Sequence, residues 1–125
     1  MEILVPISLG ELLDKISILE IKRTIIVDEN KLININKELE LLNKISDNYP
    51  FDNELYLRLK KVNKQLWDVE DALRIKEKNN EFDVHFTSLA RSVYFLNDER
   101  AVIKREINMK YGSSIIEEKQ YEKYE

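Results

Sequence analysis

An all-α, up-and-down four-helix bundle, with an extended N-terminal strap and a short C-terminal helix or tail laid against it, is the fold this sequence predicts. Three observations carry that expectation. Apolar residues recur at three- and four-residue steps in four separate segments. Only two glycines and two prolines punctuate the 125 residues, and they stand near segment ends rather than in segment middles. Polar residues able to cap a helix precede the apolar runs.

Taken in order, residues 1–7 alternate Ile3, Val5 and Ile7 with Glu2, Leu4 and Pro6, the pattern of an extended strap or short strand. Three β-branched residues left in water cost roughly 1–2 kcal/mol each, so the strap is expected to pack on the bundle, on the tail near Ile115 and Ile116, or on a second copy. Ser8 and Glu11 form a capping box that opens helix one, whose inner face is Leu9, Leu12, Leu13, Ile16 and Leu19 and which fades near Val27. Asp28 is placed to cap helix two, with Leu32, Ile35, Leu39 and Leu42 as its seam, and residues 47–52 form a turn around Pro50. Helix three spans about 53–78 along Leu55, Leu59, Val62, Leu66, Val69 and Leu73. Asp83 or a neighbour caps helix four, which runs to Tyr111 and stops at Gly112 as a left-handed residue. Ser114 and Glu117 make a further capping box, consistent with a last short helix.

Length and composition set the outer limits. A chain of 125 residues, 43% hydrophobic, suits one domain over 1–125 with one core. Acidic side chains number 24 and basic ones 20, a formal charge of −4 spread along the chain, which describes a solvated helical surface and not a nucleic-acid footprint. Lys60, Lys61 and Lys64 form a basic patch without interleaved aromatics, so nucleic acid is not an expected partner. With no cysteine, disulfides and thiolate chemistry are excluded, which fits a reducing cytoplasm. No stretch approaches the roughly 18 apolar residues of a membrane span and the N-terminus has no basic region, so membrane insertion or secretion is not expected.

The informative anomaly is Arg100. It stands seven and four residues after Val93 and Leu96 and three and seven before Ile103 and Ile107, a position where a hydrophobic residue belongs. Glu20 repeats the anomaly beside Leu13 and Ile16, and Glu70 repeats it between Leu66 and Leu73. Asn97, Arg100 and Lys104 form a polar ladder on helix four, and Arg23 lies at the margin of helix one's inner face. Burying one unpaired ion costs several kcal/mol, so such charges pair with one another or gather around something. Among these six residues two carboxylates face three cations and one amide, a positive surplus suited to an anion such as a carboxylate or phosphate.

Four stretches, SLGELLDKISILEIK (8–22), LWDVEDALR (66–74), LARSVYFLNDERAVIKREIN (89–108) and GSSIIEEKQY (112–121), resemble a small all-helical bacterial protein family of unknown function. The resemblance spans nearly the whole chain, with helix two its vaguest part. It implies that Glu20, Glu70, Asn97, Arg100 and Lys104 are characteristic positions; Arg23 lies just beyond the matching stretch. It also implies a context, since members occur alone or appended to larger bacterial proteins, some connected with surface-glycan synthesis. It implies no mechanism.

Two functions follow. The leading one is an accessory or protein-interaction domain whose inward charges form a structural ion-pair network and whose partner is another protein or a second copy. The alternative is a site for an anionic small molecule, such as a sugar nucleotide, between helices one, three and four. On either reading Arg100 is expected to pair with Glu20 or Glu70 across a helix interface. No catalytic group is assembled and no cofactor is implied. The acidic pairs Glu11/Asp14 and Asp68/Asp71 have the i, i+3 spacing of magnesium ligands, but both project opposite the apolar seams and read as solvated charges; no metal is expected. His85 is the only histidine, too few for a histidine metal cluster. Tyr56, Asn63, Trp67 and Arg74 share one flank of helix three, more consistent with packing than with sugar stacking.

Overall fold

The computed structural model describes residues 1–123; Tyr124 and Glu125, the end of the expected 1–125 domain, lie outside them. Four helices account for most of the chain: α1 (Leu9–Ile25), α2 (Glu29–Ser46), α3 (Asn53–Lys78) and α4 (Val84–Lys110). Each begins where a short polar side chain accepts from a backbone N–H of the first turn: Ser8 from Glu11, Asp28 from Lys31, Asp52 from Glu54 and Asp83 from Phe86. Asn80 (φ 54°) and Gly112 (φ 64°) take the left-handed conformation that ends α3 and α4. Beyond them, the Glu81 and Ser113 N–H groups close back onto the Lys76 and Asn108 carbonyls at 2.9 and 2.8 Å.

The helices pack as a bundle with α1 in the middle. It lies against α2 on one side and against the antiparallel α3–α4 pair on the other, while α2 packs on α1 alone. Two faces of α1 are therefore covered. Leu12, Leu13, Ile16 and Leu19 join Leu39, Leu59, Val62, Ile103 and Ile107 in the core, each such side chain contributing roughly 1.5–3 kcal/mol by leaving water. Gly10, Asp14 and Ser17 are buried as well, toward α3 and α4. Gly10 is small because α4 passes there. A Cβ on it would lie 2.7 Å from the Lys104 carbonyl oxygen, and its N–H donates to Asn108 Oδ1 at 2.7 Å.

At 26 and 27 residues, α3 and α4 outrun the 17-residue α1. No residue of α3 after Leu66, and none of α4 before Ile103, is fully buried. The pair continues past α1 as a two-helix arm.

At its ends the chain has the expected N-terminal strap and, of the two forms expected at the C-terminus, the tail rather than a helix. Residues 1–7 form no strand, and the expected burial of the strap is absent at Ile3, Leu4 and Val5, which are exposed by 77%, 89% and 65%. After Gly112 the described tail is non-helical. The Glu117 carboxylate is held by Lys104 and Lys119 and so does not turn back to cap a helix at Ser114. No helix among the described residues is long and apolar enough to cross a membrane.

Candidate functional site

The polar ladder of α4 is the centre of a buried network. Arg100 is partly buried. Its Nη2 donates to Asn97 Oδ1 at 2.7 Å, one turn back on the same helix, and its Nη1 donates to Asn63 Oδ1 of α3 at 3.4 Å. Asn63 is 4% exposed, and its amide nitrogen donates both to Asp14 Oδ1 (2.8 Å) and to Ser17 Oγ (2.7 Å) of α1. Two acceptors on the α1 side fix which way the amide points, so its oxygen has to face Arg100. The negative charge of Asp14 thus stands one amide away from the guanidinium.

Lys104 has the opposite surroundings. Its ammonium meets three carboxylates: Glu11 at 2.7 Å, Glu117 of the tail at 3.4 Å and Asp14 at 3.8 Å. Burial pushes the Glu11 carboxyl up, but the Lys104 hydrogen bond and the charges of Lys104 and Lys15 outweigh it and hold it below the ordinary 4.5. Glu117 is also held below its ordinary value, by its hydrogen bond to Lys119 first and by the Lys104 charge, against a smaller opposing effect of burial. A carboxyl with a depressed folded-state pKa stabilises the fold above its unfolded value and loses that contribution as pH falls through the folded value. Acidification below about pH 4.5 is therefore expected to release the tail before the helices unfold. Pepsin cleavage near Ile116 should rise while helical circular dichroism holds; cleavage that rises only together with loss of helicity would refute this order.

The six candidate residues separate into two groups. Asn97, Arg100 and Lys104 come together along α4. Glu20, Arg23 and Glu70 do not join them, and the expected Arg100 pairing with Glu20 or Glu70 is absent. Glu20 reaches Lys60 at 3.7 Å, because α1 ends over α3 rather than over α4. Glu70 is exposed; its angular position was right, but α1 stops short of that level and nothing covers it. Arg23 is exposed in the last turn of α1. Neither Glu70 nor Arg23 has a partner among the described residues.

The acidic pair of α1 is likewise not solvated, since Asp14 is 7% exposed and Glu11 partly buried. Asp68 pairs with Lys64, and no cluster of three or more acidic or histidine residues suited to a metal ion occurs among the described residues. On α3, Tyr56 and Asn63 point into the core while Arg74 is exposed. Asp14 and Asn63 are buried members of the network that were not among the six candidates. The signal for Asn63 was available: it stands four after Leu59 and three before Leu66, the same interruption of a seam that marks Arg100.

Beside Arg100 lies a cavity of about 520 Å³ between α4 and the tail. Asn97, Asp98, Arg100 and Lys104 line it from α4, and Lys119, Tyr121 and Glu122 from the tail, so two carboxylates share the wall with three cations. Among the described residues no carboxylate is within ion-pairing distance of Arg100. A rigid guanidinium with free N–H groups at the wall of a cavity can accept a planar or tetrahedral anion through two parallel hydrogen bonds.

The chain belongs to DUF6165, a family of unknown function, whose sequence pattern matches residues 3–124. No curated protein and no solved structure matches it.

Proposed function

We propose that this member of the family is a binding module for a small anionic ligand, a carboxylate or phosphate seated on Arg100 in the cavity between α4 and the tail. One observation supports the reading above the others: Arg100 is held in place by two neutral amide oxygens, and among the described residues no carboxylate stands within ion-pairing distance of it. Elsewhere the network is paired, as Lys104 with its three acids shows, so the interior charge is structural at Lys104 and available at Arg100. A cavity of this volume falls within the range of small-molecule sites. The context that the family resemblance implies, in which some members are connected with surface-glycan synthesis, puts nucleotide sugars, with phosphate and pyrophosphate, in the panel to be tried. A cytoplasmic setting, which the cysteine-free sequence favours, would supply all of them.

Thermal unfolding tests this directly. A ligand at a hundred times its Kd adds about 2.7 kcal/mol, a rise in Tm on the order of 10 °C. Saturable stabilisation is expected in the parent and is expected to vanish in Arg100→Met. That substitution removes no partner of a buried carboxylate and should itself cost only about 1–2 kcal/mol. A flat response in the parent, or an equal response in Arg100→Met, would exclude the site.

A second reading, as an interaction module, is favoured by the exposed strap. Ile3, Leu4 and Val5 leave an apolar segment uncovered that a second copy or another protein would bury. Light scattering on the parent and on a chain lacking residues 1–7 tests the homodimer form. A dimer that becomes a monomer on deletion places the strap in the interface; a monomeric parent, or a dimer surviving deletion, removes it.

A further inference from the structure

The cavity beside Arg100 has one wall that is not part of the helical core. Residues 113–123 lie along α4 and are fastened to it mainly by charge: Glu117 to Lys104 at 3.4 Å and Glu118 to Arg105 at 3.1 Å, with the Ser113 N–H on the Asn108 carbonyl at their root. Contacts alternate along this segment. Lys119 bonds Glu117 at 2.7 Å and lies 5.8 Å from the Tyr121 ring, so 117, 119 and 121 form a connected row beside the Arg100 ladder. Side chains of Lys119 and Tyr121 face the same cavity as Arg100. Apart from Ile116, which is partly buried, the tail offers the core little apolar surface, so its two ion pairs to α4 hold it down. Exposed pairs of this kind are worth at most about 1 kcal/mol each, which makes the docked tail easy to lift.

We propose that residues 113–123 are a charge-latched flap: the anion site is complete only while the tail is docked, so ligand binding and tail docking strengthen each other. This rests on the reading of Arg100 as an anion site and adds its regulation, with Lys119 and Tyr121 as residues the tail contributes to the ligand. Coupling of this sort is reciprocal. If docking raises ligand affinity by some factor, ligand raises the docked fraction by the same factor. Lys104 serves both parts, since it lines the cavity and anchors Glu117. Undoing the latch at Arg105–Glu118 and at Glu117 leaves Arg100 and its amide partners untouched.

The test uses the full chain with inorganic pyrophosphate as the probe. Calorimetry gives Kd, and the rate of tryptic cleavage after Lys119 reports the undocked tail. In the parent, pyrophosphate is expected to slow that cleavage saturably, with a midpoint at the calorimetric Kd. The double variant Glu117→Gln, Glu118→Gln is expected to bind at least about five-fold more weakly and to be cut faster, with unchanged helicity. Arg105→Glu alone is expected to weaken binding, and Arg105→Glu combined with Glu118→Arg to restore it by rebuilding the latch with reversed charges. Binding that depends on Arg100 but has the same Kd in the double variant overturns the flap and leaves the anion site standing. Tighter binding in the double variant also overturns it, by making the acidic tail a competitor of the ligand. Absence of Arg100-dependent binding in the parent overturns the site and the flap together.

Discussion

Gly10→Ala is expected to destabilise the fold by roughly 3 kcal/mol, although alanine is the better helix former. The intrinsic preference would stabilise α1 by about 1 kcal/mol. Against it, the new methyl group would lie 2.7 Å from the Lys104 carbonyl oxygen, a backbone atom that cannot swing aside, and 2.8 Å from Asn108 Oδ1. Forcing such an overlap costs about 1–3 kcal/mol, and separating the helices weakens the buried Gly10 N–H to Asn108 hydrogen bond, worth about 1–3 kcal/mol if left unmade. Urea denaturation of the variant checks the sign. A midpoint equal to or above the parent's would mean that α1 and α4 are not in this close contact. Gly112→Ala makes a useful contrast, because nothing lies within 4 Å of its Cβ and only the left-handed backbone (φ +64°) opposes it.

Asn63→Leu is expected to cost on the order of 3 kcal/mol for a different reason. Leucine fills nearly the same space but donates nothing, so Asp14, whose side chain is 9% exposed, keeps only Lys104 at 3.8 Å. Ser17 and Arg100 each lose a partner in the same step. A buried carboxylate stripped of its hydrogen bond is worse than no carboxylate. Adding Asp14→Leu to Asn63→Leu is therefore expected to recover a large part of the lost stability. A double variant no more stable than the single one would show that the Asp14–Asn63 bond does not carry the cost.

The helices were legible in the sequence because their signals are local. Ser8, Asp28 and Asp83 announced starts through their own side chains, and the α3 seam fixed a span that the structure reproduces as Asn53–Lys78. The layering was less legible. Periodicity reveals one apolar face per helix, whereas α1 buries a second face made of Gly10, Asp14 and Ser17, which reads as polar until it is known that two neighbours flank this helix. Arg100 stood out as an ion in an apolar stripe, but its partners could not be read. Angular position around an axis says nothing of height along it, and Glu70 has the right angle at a level where α1 is already absent. An amide as the neighbour of a partly buried arginine leaves no charge signature in the sequence, so the pairing was sought among carboxylates and lay with Asn63 and Asn97.

The lopsided attachment of α2 sets the order in which the molecule comes apart. It packs on α1 alone and buries only Ile35, Leu39 and Ser46 of its 18 residues, whereas α3 and α4 run against each other for most of their length. A helix so held can detach without disturbing the rest. Its amide hydrogens should exchange with solvent through a partial opening of low free energy, while those near Leu59 and Ile103 wait for complete unfolding. Equal exchange protection across all four helices would contradict this. Read in reverse, the α3–α4 hairpin, whose contacts span one short turn, is the piece that can form first on the microsecond scale of local helix pairing; α1 then closes over it, and α2 is the last to arrive.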